Sequence, residues 1–236
     1  MRRAVICFTR VPRPGVTKTR LLPVLSPKQC AALHTAFLKD LARVYRELDA
    51  ALFVAYAPDP DWALLKDIFP MASAFFPQTG ESLGERMDAA ICHVLSMGFE
   101  RVILTGTDLP MMGRRHLESG FSALDLSDVV LGPTPDGGYY LVGAKAPCTA
   151  VFEEQQYGGG NVYENTVKAA ERAGLSLGQA LPCGFLISAV SEKRMRDMPC
   201  GDVDTPEDLR RLVLQADPES HTGWFLAALK KEGHLL

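Results

Sequence analysis

An α/β fold, one domain over residues 1–236 with three layers around a mainly parallel sheet, is what this sequence predicts. Three observations carry it. Short apolar runs of strand length alternate with amphipathic stretches of helix length through most of the chain. Loops bearing charge, glycine and proline follow several of the apolar runs, at the edge where an open sheet of this kind holds its ligands. Finally, 236 residues with 47% apolar and 22% charged side chains suffice to bury about three quarters of the unfolded surface.

The elements follow in order. Ala4 to Phe8, AVICF, is a buried strand, and it breaks into the basic loop TRVPRPGVTKTRL. Ser26, Pro27 and Gln29 form a capping box and first turn for a helix whose apolar face is Leu33, Phe37, Leu41, Val44 and Leu48. Leu52 to Ala57 is a second strand, stopped by Pro58-Asp59-Pro60-Asp61; a short helix runs to about Phe69, and Ser73 to Phe76 is a third strand. Ser82 and Glu85 cap the next helix, with Leu83, Met87, Ile91 and Val94 or Leu95 toward the core and Gly98 at its end. Arg101 to Thr105 is a strand leading into Gly106-Thr107-Asp108, and a helix over Arg114 to Leu124 follows. Val129 to Gly132 and Tyr139 to Gly143 are strands whose connection, Asp136 to Gly138, reads as a hairpin turn. Asn161 and Glu164 open a helix to Ala173; Cys183 to Cys200 has no clear pattern, and SEKRMRDM within it reads as a solvated loop or surface helix. Thr205 caps and Pro206 opens a helix to Gln215, and Gly223 to Lys231 is the last amphipathic segment.

Composition removes several classes of function. A net charge of −3 gives no support for nucleic acid as the partner. Met1-Arg2-Arg3 and the apolar run after it mimic the start of a signal peptide but stop at Arg10, and no stretch approaches the length of a membrane span. Six scattered cysteines, without a C-x-x-C pair or a histidine at ligand spacing, read as reduced thiols of a cytoplasmic protein rather than as a zinc site.

Charge is instead concentrated at the strand ends. Arg10, Arg13, Lys18 and Arg20, with Gly15 between them, form an anion-binding loop, and Lys18-Thr19-Arg20 offers a point charge, a hydroxyl and a forked guanidinium to a polyphosphate. Asp108, and Asp202 or Asp204, follow or precede other elements at the same edge; Asp108 reads equally as a turn residue or a ligand. Cations and carboxylates in one crevice suit a nucleotide phosphate carrying a divalent ion. Neither a Walker loop nor a G-x-G-x-x-G fingerprint is present, which disfavours kinase and dehydrogenase chemistry.

FTRVPRPGVTKTRL, QTGESLGERM, GTDLP, VVLGPTPDGGYYLVG and DVDTPEDL, in that order, resemble a bacterial family of glycosyltransferase-like proteins with the glycosyltransferase-A (nucleotide-diphospho-sugar transferase) fold. That family is similar to the phospholactate and molybdenum-cofactor guanylyltransferases. The resemblance covers residues 4–145 and 202–213. It implies Lys18 and Arg20 on the phosphates, Arg10 and Gly15 in the nucleotide loop, Gln78 and Gly80 near base or ribose, and Asp108 with Asp204 or Asp202 on Mg²⁺ or Mn²⁺. Lys18, Arg20 and Asp108 would be the catalytic set, and Asp136, Gly137, Gly138 and Tyr139 would face the acceptor. The implied reaction is nucleotidyl transfer from a nucleoside triphosphate to a small phosphorylated acceptor. Glycosyl transfer from a nucleotide sugar, including arsenosugar-type synthesis, is the alternative, and a non-catalytic nucleotide-binding protein is a third reading. Two departures from the family pattern fall on the acceptor side: no hydroxyl follows Tyr157 in Gly158-Gly159-Gly160, and Cys183 to Gly201 is long.

Overall fold

The computed structural model describes residues 2–153, 155–158, 160–183 and 202–233. The expectations for Ser191 to Met198 and for most of the segment from Cys183 to Gly201 lie outside the described residues. Among the described residues seven strands form one sheet: β1 (Arg3–Thr9), β2 (Ala51–Tyr56), β3 (Ala74–Pro77), β4 (Arg101–Thr105), β5 (Val129–Pro133), β6 (Tyr139–Ala144) and β7 (Leu177–Gln179). Their order across the sheet is β3-β2-β1-β4-β6-β5-β7, and only β6 runs antiparallel to its neighbours. β1 lies between β2 and β4, pairing Cys7 with Val54 on one side and with Thr105 on the other.

Its central place explains why AVICF is a continuous apolar run rather than an alternating one. Val5 and Cys7 point to one face, with Leu52 and Val54 of β2; Ala4 and Ile6 point to the other, with Phe53 and Ala55. The first face is covered by α1 (Pro27–Arg46), α2 (Leu64–Ile68) and α4 (Arg114–Leu124), the second by α3 (Leu83–Ser96) and α5 (Val162–Arg172). α1 buries two stripes. Leu38, Leu41 and Tyr45 meet the sheet, while Cys30, Leu33 and Phe37 meet α6 (Pro206–Gln215) and α7 (His221–Lys231) from the C-terminal part of the chain.

The capping signals hold at both ends of the molecule. Ser26 and Gln29 close their box on α1, and Thr205 and Asp208 close one on α6. Two expectations change. Leu83 lies on the crevice side of α3 with 44% exposure rather than in the core, because it occupies the first helical position beside the ligand edge. Asn161 makes no capping bond through its side chain; the Gly137 carbonyl of the β5–β6 turn accepts from the Tyr163 N–H at 2.9 Å and takes over part of that role. Among the described residues no helix is long and apolar enough to cross a membrane.

One buried carboxylate joins the C-terminal helices to the rest. Asp40 of α1 accepts from the His221 and Thr222 N–H groups at 2.8 and 2.9 Å, satisfying the first turn of α7 from outside that helix. Asp40→Ala is expected to lower unfolding stability by about 1–2 kcal/mol, read from urea denaturation. A smaller loss from Ser220→Ala, whose hydroxyl caps the same helix from a more exposed position, would mark Asp40 as the stronger tether.

Candidate functional site

Three separated segments meet at the carboxyl edge of β1 and β4. The loop after β1 brings Lys18, the turn after β4 brings Asp108, and the residues before α6 bring Asp202 to Asp204. The last two are joined through their main chains, since Val203 N–H donates to the Asp108 carbonyl at 3.0 Å. Lys18 adopts a left-handed conformation with φ 51°, the single non-glycine residue to do so among those described. Its side chain is only 3% exposed. The ammonium lies 2.5 Å from Asp108 Oδ1, 3.4 Å from Asp204 Oδ1 and 2.8 Å from the Val203 carbonyl oxygen. An ammonium has three N–H bonds, and each has an acceptor here. Arg20 adds a second contact, Nη1 at 3.1 Å from Asp204 Oδ2, but remains 74% exposed.

Beneath this cluster lies His34, on the buried face of α1. Its Nδ1 meets the Thr17 hydroxyl, and its Nε2 stands 3.4 Å from the hydroxyls of both Thr9 and Thr107. Each threonine immediately precedes a charged residue of the site: Thr9 before Arg10, Thr17 before Lys18, Thr107 before Asp108. One imidazole thus ties together the main-chain positions from which three charges project. Burial depresses the pKa of His34 to about 4, with opposing contributions from the Asp108 charge and the Lys18 and Arg10 charges. Sequence reasoning missed this residue. The signal was a histidine within the apolar stripe of α1 and a threonine repeated before each strand-end charge.

The crevice above has a volume of about 510 Å³. Arg10, Lys18, Arg20, Gln78, Asp108, Tyr139 and Asp204, all expected at the site, line it. Arg86 of α3 lines it too and was not assigned beforehand; its Nε donates to the Gly80 carbonyl at 2.8 Å. Gln78 is buried, and both hydrogens of its amide nitrogen are engaged, by the Thr9 and Ala55 carbonyls at 3.1 and 3.0 Å. Only its oxygen is left to meet a ligand, as an acceptor. Gly15 and Gly80, with φ of +78° and +127°, shape the loops rather than the crevice wall; a Cβ on Gly80 would fall 2.8 Å from Glu85 Cβ. Arg13 faces away, bonded to Asp59 at 2.8 Å and Asp61 at 3.3 Å, and so anchors the proline loop instead of serving an anion. Asp136 to Gly138 form the β5–β6 turn, with Asp136 Oδ1 accepting from Gly138 N–H at 3.2 Å. Of that group, Tyr139 alone reaches the crevice wall.

The donor chemistry suits a hard divalent ion. Burial pushes the Asp108 carboxyl up, but the charge and hydrogen bond of Lys18, together with His34 and Arg10, hold it below its ordinary value. Asp202 is pushed up to about 7, by desolvation first and then by the Asp108, Asp204 and Asp136 carboxylates, although the residue retains an exposed surface. Several carboxylates crowd a place where one ammonium and one guanidinium balance them, with oxygen donors throughout. As the side chains stand, no group of three His, Cys, Asp or Glu among the described residues converges on a common ion position. The oxygen donors fit such an ion; as the side chains stand, Asp108 and Asp204 both pair with Lys18.

Comparison with known proteins agrees with this architecture. A family model described as "Uncharacterized protein conserved in bacteria (DUF2064)" matches residues 40–159. The 2-phospho-L-lactate guanylyltransferase of Methanothermobacter thermautotrophicus is 26% identical over 215 residues, covering 90% of this chain and 85% of that protein. A crystal structure from Desulfovibrio desulfuricans G20, assigned to the nucleotide-diphospho-sugar transferases, superposes with a TM-score of 0.82 at 29% identity over 100% of both chains. A cytidylyltransferase from Leptospira borgpetersenii serovar Hardjo-bovis shares the fold with a TM-score of 0.53 at 12% identity, covering 99% of this chain and 95% of that one. The fold is therefore that of the nucleotide-diphospho-sugar transferases.

A neutral, buried His34 makes stability depend on pH. Its folded pKa is depressed, so the unfolded chain takes up the proton first; stability is fully present above about pH 6.5 and is lost as pH falls toward 4. Between pH 7.5 and 5.0 the loss from this group is about 2 kcal/mol. Urea denaturation of wild type and His34→Gln at the two pH values should show that part of the slope vanish in the variant.

Proposed function

The chain belongs to the DUF2064 family, and from that premise we propose that it is a transferase with a nucleotide donor, in its most concrete form a nucleotidyltransferase acting on a small phosphorylated acceptor. The observation that carries this reading is the meeting of exposed guanidinium groups, Arg10 and Arg20, with the Lys18–Asp108–Asp204 cluster in one crevice at the strand ends. The guanylyltransferase that aligns over 90% of the chain supports it as well.

In the reaction, an oxygen of the acceptor phosphate attacks the α-phosphorus of a nucleoside triphosphate. The bond from that phosphorus to the α,β-bridging oxygen breaks, and pyrophosphate leaves with the electron pair. Arg10 makes no ion pair among the described residues, so its guanidinium is available to phosphate oxygens, and Arg20 lines the same crevice with most of its surface in solvent. These fixed cations favour the charge that accumulates on the leaving pyrophosphate. Gln78, restricted to accepting, suits a base edge or ribose hydroxyl that donates. Tyr139, which follows the hairpin turn and lines the crevice, is the residue of the Asp136 to Tyr139 group taken to face the acceptor. A divalent ion on Asp108 and Asp204, with Asp202 as the neighbouring candidate, would supply neutralisation of the phosphate oxygens. Glycosyl transfer from a nucleotide sugar is the second reading, favoured by the full-length likeness to the Desulfovibrio desulfuricans protein.

The two reactions differ in their products. The protein incubated with GTP or CTP, Mg²⁺ and phosphorylated hydroxy acids or sugars should release pyrophosphate; nucleoside diphosphate released from a nucleotide sugar would instead favour the second reading. Neither product across the panel would contradict both. Asp108→Asn should lower turnover on the order of 100-fold, the worth of about 2.7 kcal/mol of charge stabilisation, in the same assay.

A further inference from the structure

The sequence motif suggests that Lys18 binds phosphate and that Asp108 and Asp204 hold a metal ion, yet in the structure Lys18 is paired with both carboxylates. Lys18 has no N–H left to give: its three acceptors are Asp108, Asp204 and the Val203 carbonyl oxygen. We propose that Lys18 is a resident cation that keeps the carboxylate site closed, and that a polyphosphate opens it by drawing the ammonium away, so that metal ion and nucleotide bind with strong mutual coupling. The inference rests on the proposed function in taking Asp108 and Asp204 as the ion's ligands.

A divalent ion arriving alone has to share Asp108 with an ammonium that is almost wholly buried and 2.5 Å away. If Lys18 stayed nearby it would retain the Val203 carbonyl, with the Phe37 ring 5.5 Å off, and two cations would face each other across the same two carboxylates, which are 40% and 36% exposed. A polyphosphate changes the balance, because its oxygens can receive the ammonium while its charge compensates the incoming ion. The main chain favours the departure. Lys18 is held at φ 51°, a conformation that costs a side-chain-bearing residue energy and that rotation of the loop would relieve. His34 holds Thr17 immediately before this position, and the short 3-10 turn Thr19–Leu21 follows it, so movement is confined to the residue that needs it. Coupling of this kind is reciprocal: whatever nucleotide adds to metal affinity, metal adds to nucleotide affinity.

Free Mn²⁺, followed by electron paramagnetic resonance, tests this without any turnover. In the absence of nucleotide, Lys18→Met and Lys18→Gln, each checked for native circular dichroism, should bind Mn²⁺ about tenfold or more tighter than wild type. Adding Asp108→Asn to either variant should abolish the gain. Wild type should show the same tightening when inorganic tripolyphosphate is added, after correction for the Mn²⁺ that tripolyphosphate binds by itself; this arm decides the matter if the variants do not fold. Variants that are folded but bind Mn²⁺ no tighter than wild type overturn the proposal, as does a wild-type affinity indifferent to tripolyphosphate. If in either case Asp108→Asn still weakens Mn²⁺ binding, the assignment of Asp108 survives the loss of the lock. If Asp108→Asn has no effect anywhere, the metal reading itself fails.

Discussion

The ammonium of Lys18, enclosed by Asp108, Asp204 and the Val203 carbonyl, is the interaction on which the rest of the crevice depends. It joins three stretches of chain that are far apart in sequence, through an ammonium that is almost wholly buried and two carboxylates that keep 40% and 36% of their side-chain surface exposed. A buried ion pair gains little net stability over an apolar replacement, whereas removing one partner leaves an uncompensated charge. Such a cluster is therefore weak as a source of stability and strong as a constraint on geometry. Here it fixes the distance between the loop after β1, the turn after β4 and the start of α6.

The scaffold is arranged to hold that distance. β1 is paired on both sides and buried on both faces, so its end is a fixed point from which Arg10 projects. The Tyr45 hydroxyl bonds Thr105 at 2.7 Å, fixing α1 to the last residue of β4 just before Gly106-Thr107-Asp108. The C-terminal helices pack on the far stripe of α1, and the capping box of α6 positions Asp204 one residue ahead of its cap. Packing of apolar stripes thus supplies the rigidity, and short polar contacts at helix and strand ends set the direction of the charged groups.

Much of this was legible in the sequence because it was local. AVICF and VVLG lie within strands one or two residues longer than expected, RVILT is a strand with the expected bounds, and Ser26-Pro27-Lys28-Gln29 and Thr205-Pro206-Glu207-Asp208 carry their capping chemistry within four residues. The gathering of basic and acidic groups at one edge also followed from strand-end placement alone. What escaped depended on contacts distant in sequence. Arg13 looked like any other cation of its loop until Asp59 and Asp61 were found beside it, and Leu83 fitted the helical period although that turn of α3 borders the crevice. His34 is the clearest case. Nothing within a few residues of it announces three threonine partners, because Thr9, Thr17 and Thr107 are brought together only by the folded sheet edge.

The bond between Lys18 and Asp108 is also where the account is most exposed to test. Crystals of the protein with Mn²⁺ and a non-hydrolysable nucleoside triphosphate analogue would locate the ion by its anomalous scattering. The account predicts a peak bound by Asp108 and by phosphate oxygens within the crevice, with Lys18 Nζ moved from the carboxylate onto the phosphates. A nucleotide held elsewhere, or one held in the crevice with the Lys18–Asp108 contact intact and no ion on Asp108, would contradict it.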